Sequence, residues 1–420
     1  MKRARIATCL ANILDHFDTS LYGFLVPILA PLFFPKSDPV VALIQGYGIV
    51  IIGFITRPLG AWYFGKQADL VGPHAALITT IMGMTATTFC FTLLQPYEHW
   101  GVGGAIGLCL LRGIQNFFGA GETSIAGLYV LEGAETNQQH PITSLYLSST
   151  MIGILLASGV ASLLFASDTP QLYWKWPFYG SLVTGLVGWW LRRQSAEHTV
   201  VLPVKTGIQE PIHLGPLLNG NNKGFSLKDN WQGILRLIPI TGFSYILYSA
   251  PLVFFNSFAT LVTQITIKDL MISNTLLMVF DLGLLAILGP VMRKMNAEKL
   301  LLKISLAAVL VSPILFWCVP FVGVFGSVVI RMVIIILGVA FCIPLHQWYR
   351  SEFPAKNRYT TTAIGYAIGS EVLGRSFPAV GLALWHLTHS SIVPGVYIAL
   401  VGLCAYLSIA LPKTLKTRYK

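Results

Sequence analysis

The sequence predicts an all-α membrane protein with twelve transmembrane helices in two bundles of six. Of its 420 residues, 54% are hydrophobic and only 11% are charged, whereas an ordinary soluble domain is roughly 25% charged. Apolar stretches long enough to cross a hydrocarbon core of about 30 Å recur along the whole chain. One polar interruption divides these stretches into two equal sets. These observations exclude a soluble globular protein.

The predicted spans fall into an N-terminal and a C-terminal set. They run roughly 6–34, 40–64, 74–95, 101–127, 141–166, 173–192, then 231–260, 270–292, 300–318, 321–346, 359–385 and 391–411. We expect an N-terminal six-helix bundle at 1–192, a cytoplasmic central loop at 193–230 and a C-terminal six-helix bundle at 231–420. The first apolar run is too long for a signal-peptide core and lacks an A-x-A-like cleavage site, so it is expected to remain as a span.

The net charge of +11 is explained by membrane topology rather than by nucleic acid. Lys and Arg residues fall in blocks between apolar runs instead of on one face. Basic loops favour the cytoplasm, and with both termini inside, the outer loops hold only Lys36, Lys175 and Lys268. We therefore expect a multi-pass protein of the cell inner (cytoplasmic) membrane with both termini in the cytoplasm.

The symmetry of the spans points to a carrier. Two sets of six helices suit two bundles that rock about a midplane site. No Walker-type Gly-x-x-x-x-Gly-Lys-Ser/Thr loop and no cofactor fingerprint are present, and the six cysteines lie in or beside apolar segments without metal-ligand spacing. We expect no enzyme activity and no cofactor, with energy drawn from an ion gradient or from the gradient of the substrate.

The loop after the second span carries a family signature. Residues 57–72 read RPLGAWYFGKQADLVG and resemble the major facilitator superfamily pattern Gly-x-x-x-Asp-Arg/Lys-x-Gly-Arg/Lys. Gly65, Asp69 and Gly72 match this pattern, whereas Leu70 stands where the family has a basic residue. The resemblance implies a twelve-helix transporter and a gating role for Asp69.

Further stretches resemble one branch of that superfamily, the metabolite:proton symporters related to proline/betaine, 2-oxoglutarate, shikimate and citrate carriers. Residues 12–23 are similar to the first-helix pattern, with Asp15 in place of Glu. Residues 112–122 are similar to the fourth-helix pattern Arg-x-x-Gln-Gly-Phe-x-x-Gly-Gly-Glu, and residues 352–360 to the loop that enters the eleventh helix. The resemblance implies uptake of a small polar organic solute together with protons.

Asp15 and Asp18 are the candidate proton-coupling residues of the first half. They are three residues apart on one helix face, and a helix that enters the bilayer near Arg5 carries Asp15 roughly 15 Å inward. Ionisable groups at that depth usually mark ion or proton pathways. The alternative is a structural ion pair with Arg57 or Arg112.

Arg112 is the candidate anion contact because it lies near the middle of the fourth span and keeps its charge. Gln115, one turn further, is expected to donate to the same ligand or to bond a backbone group. Glu122 lies nearly three turns beyond Arg112, at a depth similar to that of Arg57. We expect Glu122 and Arg57 to pair as a cytoplasmic gate.

Four charged residues in the spans of the second half are candidates for the site. Glu371 and Arg375 are four residues apart on the eleventh span and are expected to pair, although they also stand as candidates for proton coupling and substrate binding. Asp281, in the eighth span, is expected either to pair with Arg331 or Arg375 or to serve as a second proton site. Arg331 is also a candidate for substrate binding.

Aromatic residues are the remaining candidates for the substrate cavity. Tyr22, Tyr146 and Tyr245 are predicted to line it, with packing or lipid contact as the alternative. Residues 153–162 lack the proline of the corresponding motif in drug:proton antiporters, which favours uptake over export.

The sequence therefore predicts a proton-coupled importer of a carboxylate, polycarboxylate or zwitterion. The alternatives are an exporter or uncoupled facilitator of the same fold and, in another class, a non-transporting membrane sensor. The expected partners are the small-molecule substrate, protons and the lipid bilayer, without nucleic acid, and the chain is expected to be a monomer.

Overall fold

The computed structural model describes residues 2–34, 52–165, 169–197, 227–353 and 357–411. Several sequence predictions fall outside these ranges. They concern the second span up to residue 51, most of the central loop 193–230, Lys36 and the basic residues after position 411.

Long helices account for nearly all described residues of the first half. They are α1 (Lys2–Phe33), α2 (Gly53–Leu70), α3 (Pro73–Leu93), α4 (Val102–Tyr129), α5 (Gln139–Phe165) and α6 (Trp176–Glu197). Local sequence explains the break between α2 and α3, because Gly72 adopts a φ of 116° and Pro73 opens the next helix.

The second half contains the helices α7 (Leu227–Ser249), α8 (Phe255–Val262), α9 (Ile267–Val291), α10 (Ala297–Cys318), α11 (Val324–Glu352), α12 (Arg358–Gly369), α13 (Phe377–Thr388) and α14 (Ile392–Ala410). A π-helical turn, Ala250–Phe254, joins α7 to α8, and another, Ser370–Arg375, joins α12 to α13. Such turns are rare and frequently occur at functional sites.

The described helices form twelve long segments when each pair joined by a π-helical turn is counted once, as predicted. Seven of these segments are long and apolar enough to cross a membrane by composition alone. α1 and α4 are not among the seven, because the polar side chains that they bury inside the protein lower their hydropathy. Large apolar side chains such as Leu163, Leu276 and Phe325 are exposed on the surface, as expected for a protein surrounded by lipid.

The chain divides into two compact units. The first comprises residues 1–133 and 149–226, and the second comprises residues 134–148 and 227–420. The beginning of α5 therefore groups with the second half of the chain. Within the second unit, His140 Nδ1 lies 2.7 Å from the Met292 carbonyl oxygen and the Ser144 hydroxyl donates to the Leu285 carbonyl.

The core of the first unit forms where α1 packs against α3, α4 and α6. The Phe33 ring meets the Trp174 ring edge to face at 5.7 Å, and Phe91 stacks on Phe178 at 5.5 Å. A close approach of α2 and α4 depends on Gly60, where a Cβ atom would lie 2.0 Å from the Phe117 carbonyl oxygen.

The second unit has a comparable glycine seam between α7 and the α12–α13 segment. A Cβ at Gly369 would lie 2.3 Å from the Ile238 carbonyl oxygen, and one at Gly374 would lie 2.3 Å from Tyr245 Cβ. The Thr241 hydroxyl donates to the Gly365 carbonyl at 3.1 Å across the same seam. This contact places the π-helical turn Ser370–Arg375 directly against α7.

Candidate functional site

Three buried carboxylates line one narrow cavity of the first unit. Asp15 and Asp18 of α1 share it with Glu122 of α4, and α3 completes the wall with Thr85. The cavity volume is about 10 Å³, close to the smallest volume that holds a single water molecule. The side chains of all three acids therefore line the same small space.

Hydroxyl groups from α3 reach two of these carboxylates. The Thr88 hydroxyl donates to Asp18 at 3.4 Å, and the Thr80 hydroxyl donates to Glu122 at 3.1 Å. These bonds offset part of the cost of removing carboxylates from water.

His16 Nδ1 lies 3.5 Å from Asp15 Oδ2 and 3.0 Å from the Asn12 carbonyl oxygen. The sequence placed Asp15 and Asp18 on one helix face, but Thr80, Thr88 and the shared cavity were not foreseen.

Arg112 is held in a fixed orientation beside α1. Its Nη1 donates to Gln115 Oε1 at 2.5 Å, its Nη2 donates to the Thr19 carbonyl at 3.2 Å, and its Cζ lies 4.4 Å from the centre of the Tyr22 ring. The side chain is buried in the first unit. The structure therefore joins three residues that the sequence had singled out separately, namely Arg112, Gln115 and Tyr22.

Arg57 occupies the contact between α2 and α4. Its Nε lies 3.5 Å from Asn116 Oδ1, and its Nη2 lies beside Gly119, one turn from Glu122 on α4. A gate formed by Glu122 and Arg57 stays a prediction. Asp69 is half-buried in the last turn of α2, and its gating role also stays a prediction.

Arg331 is fully buried in the second unit, and its hydrogen bonds to other described residues all go to neutral acceptors. Its Nε donates to the Pro251 carbonyl at 2.7 Å, its Nη1 donates to the Ser273 hydroxyl at 2.9 Å, and its Nη2 donates to Asn274. The Pro251 carbonyl belongs to the first π-helical turn, so Arg331 ties that turn to α9. Its assignment to substrate binding stays a prediction.

The pair of Glu371 and Arg375 predicted from their spacing is present. Arg375 Nε lies 2.9 Å from Glu371 Oε1 within the second π-helical turn, and Arg375 Nη2 donates to the Tyr245 hydroxyl at 3.1 Å. The expected pair of Asp281 with Arg331 or Arg375 is wrong, because both arginines are engaged by these other groups. Among the described residues, Asp281 forms no ion pair.

Asp281 lies instead between α7 and α11. It is fully buried in the middle of α9, next to Tyr248 of α7 and Cys342 of α11. His346 and Tyr349 continue the same face of α11, one and two turns beyond Cys342. The sequence interpretation missed both residues, although the spacing of four and then three residues was visible.

Tyr146 belongs to this neighbourhood, since its ring lies 5.9 Å from the His346 ring, and the His346 ring lies 5.8 Å from Tyr349. Tyr146 was predicted from its aromatic ring to line the substrate cavity, and that role stays a prediction. The structure groups it with the second unit.

A buried ion pair near the ends of three helices was also missed. Arg236 of α7 donates to the Glu352 carboxylate at the end of α11, and its Cζ lies 5.5 Å from the Trp348 ring. In the sequence, Glu352 belongs to the pattern at residues 352–360, and nothing in the sequence links it to Arg236.

The family model described as Major Facilitator Superfamily matches residues 8–379. The chain belongs to the Major Facilitator Superfamily. Its long apolar helices are those of a multi-pass membrane protein.

Several relatives of this chain are named for metabolite transport. The glycine betaine/proline/ectoine/pipecolic acid transporter OusA of Dickeya dadantii is 32% identical over 47% of this chain and 40% of its own length. The proline/betaine transporter of Salmonella typhimurium is matched over 53% of its length, so the alignments span about half of these relatives.

Other relatives align over nearly all of both chains. The alpha-ketoglutarate permease of Escherichia coli is 27% identical over 91% of this chain and 89% of the permease. The citrate-proton symporter of Klebsiella pneumoniae is 22% identical over 94% and 88% of the two chains.

Solved structures establish the same fold. The proton:xylose symporter XylE superposes with a TM-score of 0.74 over 100% of this chain and 98% of the symporter chain, at 15% sequence identity. The twelve long helical segments are therefore those of the major facilitator fold.

Proposed function

We propose that this protein imports a small polar organic solute with a carboxylate group, driven by protons. The proposal includes a carboxylate, polycarboxylate or zwitterion as substrate. It also places the protein in the inner membrane with both termini in the cytoplasm. The observation that carries it is the position of a buried, pre-oriented Arg112 in the same unit as the cavity lined by Asp15, Asp18 and Glu122.

Arg112 supports recognition of an anionic group. Its guanidinium is planar, always charged and able to make two parallel hydrogen bonds to a carboxylate. Gln115, Thr19 and Tyr22 hold it in place, so little side-chain entropy is lost when an anion binds. To bind the carboxylate, Arg112 would have to exchange its hydrogen bond to Gln115 or to Thr19 for one to the solute.

Asp15 and Asp18 support proton coupling. A carboxylate inside the bilayer is costly in its ionised form, so it exchanges a proton when its surroundings change. Glu122 lines the same cavity as both aspartates, so it is a candidate to exchange a proton with either of them. Asp281 and Glu371 stand as second candidates for the same role, and Arg57, Asp69 and Glu122 as candidates for the gate.

The names of the relatives agree with this class of substrate. They include transporters of betaine, proline, citrate and 2-oxoglutarate, and all of these solutes carry at least one carboxylate. The relatives thus support a carboxylate-bearing solute without selecting one.

Reconstituted vesicles provide the test. We expect a labelled carboxylate solute to accumulate when the outside is acidified and to stop accumulating when a protonophore collapses the gradient. Accumulation that is unchanged by acidification would refute proton symport, and proton-driven extrusion would identify an exporter. Absence of flux for every solute that binds would favour a non-transporting sensor.

A further inference from the structure

The buried carboxyl group of Asp281 has no described basic side chain of its unit as an ion-pair partner. The carboxylate is fully buried in the second unit, and no ion pair to it is present among the residues that the structure describes. The arginines expected to neutralise it are occupied, Arg331 by neutral acceptors and Arg375 by Glu371. A buried carboxylate without a counter-ion is costly unless it is protonated or meets a cation.

A cluster of tyrosine side chains adjoins this carboxyl group through Tyr248. Tyr248 lies beside Asp281, Tyr366 neighbours both Tyr248 and Tyr349, and the Tyr245 ring lies 6.3 Å from the Tyr366 ring. These residues come from α7, α11 and α12, so they converge on one place through the packing of the second unit. Aromatic faces attract cations that carry no hydrogen-bond donor, including quaternary ammonium groups.

Two polar atoms of the same neighbourhood have no hydrogen-bond partner within the described part of the chain. They are His346 Nδ1 and the Tyr349 hydroxyl, both on buried side chains. Most buried polar groups in proteins are hydrogen-bonded, and each exception calls for a specific explanation. A ligand that enters this cluster and brings polar atoms of its own supplies that explanation.

We propose that Asp281, Tyr248, Tyr349 and Tyr366 bind an organic ammonium group, so that the solute carried by this transporter is a zwitterion. The inference rests on the proposed function and narrows its substrate class. The carboxylate supplies the opposite charge, and the tyrosine rings supply apolar and cation–π contact around the nitrogen substituents. A citrate-like polycarboxylate would instead bring negative charge toward Asp281 and would be repelled.

A proton on Asp281 is the simplest competing explanation. Protonation removes the charge of Asp281. It does not explain why Tyr248, Tyr349 and Tyr366 cluster there, or why His346 Nδ1 and the Tyr349 hydroxyl have no described hydrogen-bond partner. The competing explanations also differ in what they predict at equilibrium. Asn mimics the protonated form of Asp281, so a proton site predicts that Asp281→Asn keeps equilibrium binding, whereas an ammonium site predicts weaker binding.

Equilibrium binding to the purified full-length protein at one fixed pH tests the proposal. The probes are labelled glycine betaine and L-proline, with citrate and 2-oxoglutarate as solutes that lack a cationic group. We expect the wild-type protein to bind at least one zwitterion, and Asp281→Asn to weaken that binding by about tenfold or more. Tyr248→Ala should weaken betaine binding, whereas Tyr248→Phe should retain most of it because the ring is kept.

Asp269→Asn is the matched control, since Asp269 lies in the exposed first turn of the same helix. Its zwitterion affinity should equal that of the wild type. Thermal unfolding of each variant checks that the fold is kept, and Tyr248→Ala serves as the second variant if Asp281→Asn fails to fold.

Two results would overturn the inference. One is a wild-type protein that binds citrate or 2-oxoglutarate but neither zwitterion, and the other is unchanged zwitterion binding in both Asp281→Asn and Tyr248→Ala. Citrate uptake driven by a pH gradient would refute the ammonium site while leaving the proposed function intact. Absence of proton-driven flux for all four probes would instead count against the proposed function.

Discussion

The Arg236 guanidinium of α7 donates to the Glu352 carboxylate at the end of α11, 116 residues further along the chain. The same guanidinium donates to the carbonyl oxygens of Ser408 at 2.5 Å, Ile409 at 3.2 Å and Leu411 at 3.1 Å, at the end of α14. The last carbonyls of a helix have no partner inside the helix. One arginine therefore joins the ends of α11 and α14 to α7.

Loss of this arginine is expected to destabilise the second unit. Arg236→Ala leaves a buried Glu352 without its counter-ion, a change that typically costs 3–5 kcal/mol, so we expect a free energy of unfolding lower by about 3 kcal/mol or more. The measurement is thermal unfolding of the purified protein in detergent. Glu135→Gln, which alters an exposed carboxylate of the same unit, should leave the unfolding temperature unchanged, and equal temperatures for both variants would contradict the prediction.

Separate neutralisation of Asp15 and Asp18 is expected to uncouple transport from protons in at least one variant. Asp15→Asn or Asp18→Asn should preserve exchange of labelled for unlabelled solute across vesicles, because the substrate contacts remain. Accumulation driven by a pH gradient should fall by about tenfold or more, since the variant side chain no longer carries a proton. Normal accumulation in both variants would move the proton site to Asp281 or Glu371.

Glu122 is expected to take part in the same coupling because it lines the same cavity as the two aspartates. We expect Glu122→Gln to reduce gradient-driven accumulation more than exchange, and Thr80→Val to reduce it less, since only one hydrogen bond to the carboxylate is lost. Glu98→Gln, at an exposed position of the same unit, is the control. Equal losses of exchange and accumulation in Glu122→Gln would indicate a gate rather than a proton pathway.

Arg112→Lys is expected to weaken solute binding although the charge is kept. Lysine lacks the planar fork that meets a carboxylate with two hydrogen bonds, and a hydrogen bond to a charged group contributes about 1.5–3 kcal/mol. The affinity should therefore fall by roughly 10- to 100-fold, measured by equilibrium binding at constant pH. An unchanged affinity would place the anion contact elsewhere.

Gly60→Ala is expected to disturb the contact of α2 with α4. The added Cβ would lie 2.0 Å from the Phe117 carbonyl oxygen, a backbone atom that cannot rotate away, so we expect a loss of about 1–3 kcal/mol in the free energy of unfolding. Gly159→Ala in α5 has no neighbouring atom within 4 Å of the added Cβ and should not reduce stability. Thermal unfolding of the two variants side by side distinguishes these outcomes.

The sequence alone determined what depends on local spacing and composition. Apolar stretches of membrane length gave the twelve segments, and the 3.6-residue period placed Asp15 beside Asp18 and Glu371 beside Arg375. The family pattern also drew attention to Arg112 and Gln115, which the structure then joined by a hydrogen bond.

Only the tertiary structure decided which distant groups meet. It brought Glu122 to the cavity of the aspartates, joined Arg236 to Glu352, and placed Asp281 beside Tyr248 of α7. It also showed that Arg331 bonds α9 and the Pro251 carbonyl instead of Asp281. Helix periodicity specifies the face on which a residue lies, but the rotation and packing partner of that face depend on side chains far away in the sequence.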